Sequence, residues 1–278
     1  MLICLEFYSG ADEYERELIG RSSGQFRIQF VKEMAMDQVV DAVWVSASAG
    51  VKALDRPLIQ YLSRQATIAL WQYEQDLDEA SSLASAVELL HQYLETQHHS
   101  VHLLGHGTSG IVALLYARLY PEKVKSLTLF SVAAQPAITW HTHYYVQRKL
   151  LPCSRQQVLG QMVRNLFGTH LPFQTQAFVA LLDRDLETSP SLHSLYGLVQ
   201  LPKGGVEIPL LVCAANDDSV IDRRSHAQWS RMLKLGDRLW RCPEGRHFFH
   251  FFHPEPVGNE VVQFWQSLSR MPELELTA

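Results

Sequence analysis

Three short segments concentrate side chains capable of chemistry. Gly105-His106-Gly107-Thr108-Ser109-Gly110 joins an apolar run to a helical pattern. Asp217 and Asp218 follow the apolar run 208–215, and His247, His250 and His253 recur at a spacing of three among four phenylalanines. A hydroxyl, an imidazole and a carboxylate are together the parts of nucleophilic acyl transfer. The histidine takes the hydroxyl proton and the acid fixes the histidine's tautomer. The two aspartates are adjacent, so only one of them can face a given histidine, and the other is expected in solvent. The histidine spacing also invites a metal reading, because such a spacing can bring ring nitrogens to one face of a helical turn. Against it, Phe248, Phe249, Phe251 and Phe252 would make that face apolar and polar by turns, and Pro254 closes any helix early. No metal and no cofactor are expected.

Other histidines carry less. His98, His99 and His102 fall at a loop–strand junction, where solvent exposure is the simplest expectation. His141 and His143 stand beside Trp140, Tyr144 and Tyr145. That cluster either lines a mostly apolar pocket facing the Gly107 turn or packs as ordinary helix contacts.

The elements that must hold these segments alternate along the chain. Apolar runs separated by a Gly/Ser turn over 1–33 suggest an antiparallel hairpin. Continuous apolar runs at 42–46, 67–71, 101–104, 124–132 and 208–215 have the character of buried parallel strands, and 237–242 continues the series. Helical spacing appears after Pro57 (Leu58, Ile59, Leu62), from Ser82 (Leu83, Val87, Leu90, Leu94), as an amphipathic pattern from Thr108, and over 222–233 and 256–268. The interval 134–206 holds helix-like stretches and no convincing strand. The pattern predicts a mostly parallel, doubly wound α/β sheet over 1–133 and 207–278, with a helical insertion over 134–206.

Composition narrows the function classes. The chain has 278 residues, 47% apolar and 19% charged, with a net charge of −5 and both signs scattered, which offers no footprint for nucleic acid. Four cysteines far apart, without a C-x-x-C, read as reduced core thiols of a cytoplasmic protein. The N-terminus lacks the basic start of a signal peptide, and no window approaches the length of a membrane span.

The strand–turn–helix HLLGHGTSGIVALLYARLYPEKVKSLTL resembles the nucleophile elbow, helix and next strand of the α/β-hydrolase superfamily. IPLLVCAANDDSVID and CPEGRHFFHFF resemble that fold's acid and histidine segments, in the order nucleophile, acid, histidine. The resemblance implies an α/β-hydrolase fold whose insertion is a lid. It implies Asp218 as acid, His247 as histidine, and Gly107 at the nucleophile position. It also assigns the oxyanion-hole N–H groups to Thr108 and Ala47, with Ser46, Ser48, His106, Trp140 and Tyr144 as substrate-binding residues. The loop after the strand 42–46 has Ser46-Ala47 where that fold commonly has His-Gly. Glycine at position 107 carries no nucleophile, so the expectation is a degenerate triad that binds a small apolar molecule or a protein partner. Two alternatives remain: an ester or amide hydrolase with a displaced nucleophile (Ser109, or Ser46 or Ser48), and a His247–Asp218 base acting on water or on a substrate C–H or O–H.

Overall fold

The computed structural model describes residues 2–8, 39–74, 82–168, 175–191, 193–198 and 200–269. Its strands are β1 (Leu2–Tyr8), β2 (Ala42–Ser46), β3 (Ile68–Glu74), β4 (Val101–His106), β5 (Val124–Phe130), β6 (Leu210–Ala215) and β7 (Arg238–Cys242). They form one sheet in the order β1-β3-β2-β4-β5-β6-β7. Strands β2 to β7 pair in parallel, and β1 closes one edge antiparallel to β3. The sequence suggested that 1–8 would pair with a strand near 26–31. That partner lies outside the described residues, and β1 is found on β3.

The helices are α1 (Arg56–Leu62), α2 (Leu83–Leu94), α3 (Gly107–Leu119), α4 (Trp140–Leu150), α5 (Arg155–Phe167), α6 (Thr175–Thr188), α7 (Arg223–Ala227), α8 (Phe249–Phe252) and α9 (Pro254–Ser269). Strand residues alternate between two apolar layers, because successive side chains leave a strand on opposite faces. Val43, Val45 and Leu103 join α2 and α3, whereas Ala42, Trp44 and Leu104 join α1 and α9. Covered on both faces, the parallel strands need continuous apolar runs, which is why the sequence shows them. Among the described residues the interval between β5 and β6 contains helices α4 to α6 and no strand. These helices make a third apolar cluster with Val51, Ala133 and Phe248.

Two sequence expectations are corrected. The helix from Thr108 is not amphipathic: of its residues only Leu115, Arg118 and Leu119 escape burial. It packs on β4, β5, β2 and α2, so the surroundings rather than a polar face define it. The helix expected over 222–233 is a short α7, capped by Asp222 Oδ1 on the Ser225 N–H at 2.7 Å, followed by a 3-10 turn Gln228–Arg231.

The turn from β4 into α3 depends on a close approach of two glycines. A Cβ on Gly110 would stand 2.6 Å from Val132 Cγ2 and 2.7 Å from the Gly105 carbonyl oxygen. Backbone cannot retreat as a side-chain tip can. Gly110→Ala is therefore expected to destabilise the fold by about 1–3 kcal/mol through overpacking, read from the urea midpoint at unchanged m-value.

Candidate functional site

The sheet's carboxyl edge gathers the residues singled out above. His247 follows β7 and turns its imidazole toward the loop after β6. Its Nδ1 lies 3.0 Å from Asp218 Oδ2 and 3.3 Å from Oδ1. Asp218 is buried, and its Oδ1 also accepts from the N–H groups of Val220 (2.8 Å) and Ile221 (3.1 Å). Burial alone would raise the Asp218 pKa. The charge and hydrogen bond of His247, with the two N–H groups, outweigh it and hold the carboxyl at about 2. An ionised Asp218 puts the ring proton on Nδ1, so a neutral His247 presents a lone pair at Nε2. That Nε2 is buried and has no hydrogen-bond partner among the described residues.

Gly107 opens α3 with φ +52°. A Cβ built there would meet His247 Nε2 at 3.9 Å, with no other described heavy atom beyond its own chain neighbours and helix turn inside 4 Å. The geometry thus brings Gly107, Asp218 and His247 together. Thr108 follows, at the amino end of a thirteen-residue helix, where N–H groups have no intrahelical acceptor. Ala47 lies across from it on the loop after β2, but its N–H is already given to Ser109 Oγ at 2.9 Å. Ser46, the last residue of β2, and Ser48, on the loop after it, are buried.

The remaining residues singled out fall in several settings. His106 is buried, and its Nε2–H donates to the His247 carbonyl at 2.9 Å. Trp140 and Tyr144 are buried in the apolar cluster of the helical block. His141 is spent on Asp185, whose carboxylate lies 3.1 Å from its Nε2 and also accepts from Ser189 Oγ at 2.7 Å. The three histidines at spacing three diverge: His247 faces Asp218, His250 faces Asp55, and His253 lies 4.0 Å from Glu244. His102 is buried rather than solvated, with its Nδ1 2.7 Å from Ser126 Oγ and its ring stacked on Trp265. Asp217 is exposed, as expected, and accepts the Arg246 N–H at 2.8 Å.

Sequence reading missed Ser131 and Asp55. Ser131 ends β5 in a left-handed conformation (φ 49°), and its hydroxyl lies 3.0 Å from Asp218 Oδ2 and 2.9 Å from the His247 carbonyl. Such a conformation at a non-glycine residue costs of order 1–3 kcal/mol and is held by its surroundings. Asp55 sits beneath, hydrogen-bonded to His250 Nε2 (2.9 Å) and receiving the Trp44 indole N–H (3.0 Å). Ligand atoms of Asp55, His106 and His250 lie within 4.8 Å of one another, which a metal requires. Each of the three has a protein partner at one atom, while His250 Nδ1 is buried without one among the described residues. Burial raises the Asp55 pKa to about 7 and lowers that of His250 to about 3, which leaves the shared proton on the carboxyl. Burial and the neighbouring His250 and His247 keep His106 well below its ordinary value.

Solved structures share this architecture. A serine hydrolase involved in carbazole degradation superposes with a TM-score of 0.61 at 17% identity, covering 81% of this chain and 90% of that one. The enol-lactonase of Burkholderia xenovorans gives 0.62 at 11% identity, covering 95% and 96%. Naproxen esterase of Bacillus subtilis gives 0.58 at 12% identity, covering 82% and 84%. The fold is that of the α/β hydrolases. No family model matches the chain. An uncharacterized protein of Nostoc sp. is 47% identical over 231 residues, 83% of this chain and 92% of its own. One from Synechocystis sp. is 45% identical over 226 residues, 81% and 90%. The chain belongs to the family of these cyanobacterial proteins. Among the described residues no helix is long and apolar enough to cross a membrane.

The Asp55 network predicts a pH signature. An unfolded aspartate releases its proton near pH 3.9, whereas the folded chain keeps it on Asp55 to about pH 7. Over that window the folded state binds more protons, so stability is withdrawn as pH rises. Asp55→Asn mimics the protonated acid toward both Trp44 and His250. Urea titrations from pH 4 to 8 should therefore show a flatter loss of stability in Asp55→Asn than in wild type. Asp218 acts with the opposite sign, its contribution being complete above about pH 4 and lost toward its folded pKa of about 2.

Proposed function

We propose that this α/β-hydrolase-fold protein does not run covalent serine catalysis, and that its degenerate triad binds a small, mostly apolar molecule beneath a lid formed by 134–206. The observation that carries the reading is the turn at Gly107. It aims a position without a side chain at an unpartnered, buried imidazole nitrogen 3.9 Å from where a Cβ would be. A second observation supports it. In the motif G-x-S-x-G, Gly107 falls at the serine and Ser109 at the last glycine. The hydroxyl present at the turn is thus two residues away from the nucleophile position, and it is engaged with the Ala47 N–H. A buried Asp–His pair adds little net stability, since apolar residues of similar volume do as well. Its presence with Ser131 and His106 around it argues for a site rather than a prop. The binding reading also leaves open a protein partner in place of the small molecule.

A second reading rests on the same Nε2. A lone pair presented by an Asp218-oriented imidazole is a general base, able to act on water or on a substrate O–H or C–H without a protein nucleophile.

Hydrolysis of p-nitrophenyl butyrate and palmitate separates the two. Wild type is expected at the buffer background, and Gly107→Ser should acquire a slow acylation burst that His247→Ala removes. Gly107→Ser with Ser109→Gly frees the Ala47 N–H and should exceed Gly107→Ser alone, by up to about 10²-fold for a recovered oxyanion donor. Wild-type turnover that vanishes in His247→Ala would overturn the binding reading in favour of base catalysis.

A further inference from the structure

The chemistry of the group that fits over Gly107 is more specific than apolarity. Two independent features face one another there. One is the amino end of α3, thirteen residues long, whose first N–H groups seek an acceptor and whose dipole favours negative charge. The other is His247 Nε2, fully buried and without a partner among the described residues. With Asp218 accepting the Nδ1 proton, a ring in its neutral form offers Nε2 only as an acceptor. A complementary ligand must therefore donate on one side and accept on the other, across a planar group small enough to stand where a serine side chain would.

We propose that the site over Gly107 receives the carboxyl group of a small carboxylic acid. The carbonyl oxygen accepts from the α3 amino end, and the acid O–H donates to His247 Nε2. The proton can pass to Nε2, leaving a carboxylate between an imidazolium and the helix N-terminus, both of which favour negative charge. Only the proton moves, its O–H bond exchanged for an N–H bond at Nε2, and the imidazolium charge is balanced by Asp218. An ester offers no donor to Nε2, and an alcohol offers no planar acceptor to the helix. The carbon chain of the acid points away from Gly107 toward the lid. A small recess with room for about one water molecule, partly open to solvent and bordered by Leu83, Ile111, Ala137, Thr139 and His141, adjoins Thr108, so the lid must shift to take the chain. At Gly107 itself, His247 Nε2 is the one described atom outside the chain neighbours and the helix's own turn within 4 Å of an added Cβ.

This inference rests on the binding reading above and is separable from it. Titration calorimetry with butyrate, butyramide and methyl butyrate, at pH 8 in two buffers of different ionisation enthalpy, decides it. Butyrate should bind at least tenfold more tightly than methyl butyrate. Its observed heat should change with the buffer, because an ionised acid entering the site brings a proton with it. Butyramide can donate and accept without a proton, so it should bind with buffer-independent heat. Gly107→Ala places a methyl group in the carboxyl position and should weaken butyrate at least tenfold, as should His247→Ala, with circular dichroism melts confirming that both variants fold. Equal binding of butyrate and methyl butyrate, or butyrate binding indifferent to both substitutions, overturns the carboxyl assignment while leaving a binding protein. No heat from any of the three overturns both.

Discussion

A charge buried without compensation is among the costliest things a protein can hold, and the carboxyl edge of this sheet is arranged to compensate one. Asp218 is 4% exposed yet ionised, because the Val220 and Ile221 N–H groups, Ser131 Oγ and His247 Nδ1 converge on its two oxygens. Those donors come from β6's following loop, from the end of β5 and from the loop after β7. Adjacent strands must therefore end at matching heights for the carboxylate to survive. The register of β5, β6 and β7 supplies that match, pairing Phe130 with Cys213 and Ala215 with Cys242.

Asp55 meets the same burial with the opposite solution. It faces histidines that are themselves held neutral by burial, and no backbone N–H reaches it among its hydrogen bonds. Keeping its proton is cheaper than ionising, so it remains an acid to about pH 7. Two aspartates, both buried and both beside histidine, thus differ in charge because of the number of donors each can recruit. His106 connects the two regions: its ring lies 4.6 Å from that of His250, and its Nε2 holds the His247 carbonyl.

The turn between β4 and α3 has Gly107 at its tip, in a left-handed conformation. The hydroxyl of Ser109, two residues on, ties the helix to the loop after β2. That loop is fixed from its other side as well, since a Cβ on Gly50 would strike the backbone of α6 at Asp185 within 2.4 Å. The turn, the loop and the helical block are therefore seated against one another beside His247 Nε2, which has no hydrogen-bond partner among the described residues.

The sequence by itself determined the layers. Continuous apolar strands of β2, β4, β5 and β6 announce burial on both faces, and the residues of the Gly107 turn, Asp218 and His247 are legible because a tight turn, an acid loop and a late histidine each leave a local signature. It did not determine what those groups touch. Ser131 is an unremarkable residue at a strand end until a left-handed backbone aims its hydroxyl at Asp218. Asp55, 195 positions from His250, gives no sign of its partner. The apparent amphipathic pattern of α3 and the apparent exposure of His102 failed for the same reason. Periodicity reports one element's own faces, whereas burial, hydrogen-bond partners and the charge of a buried acid are set by what other elements bring to it, and that only the tertiary structure decides.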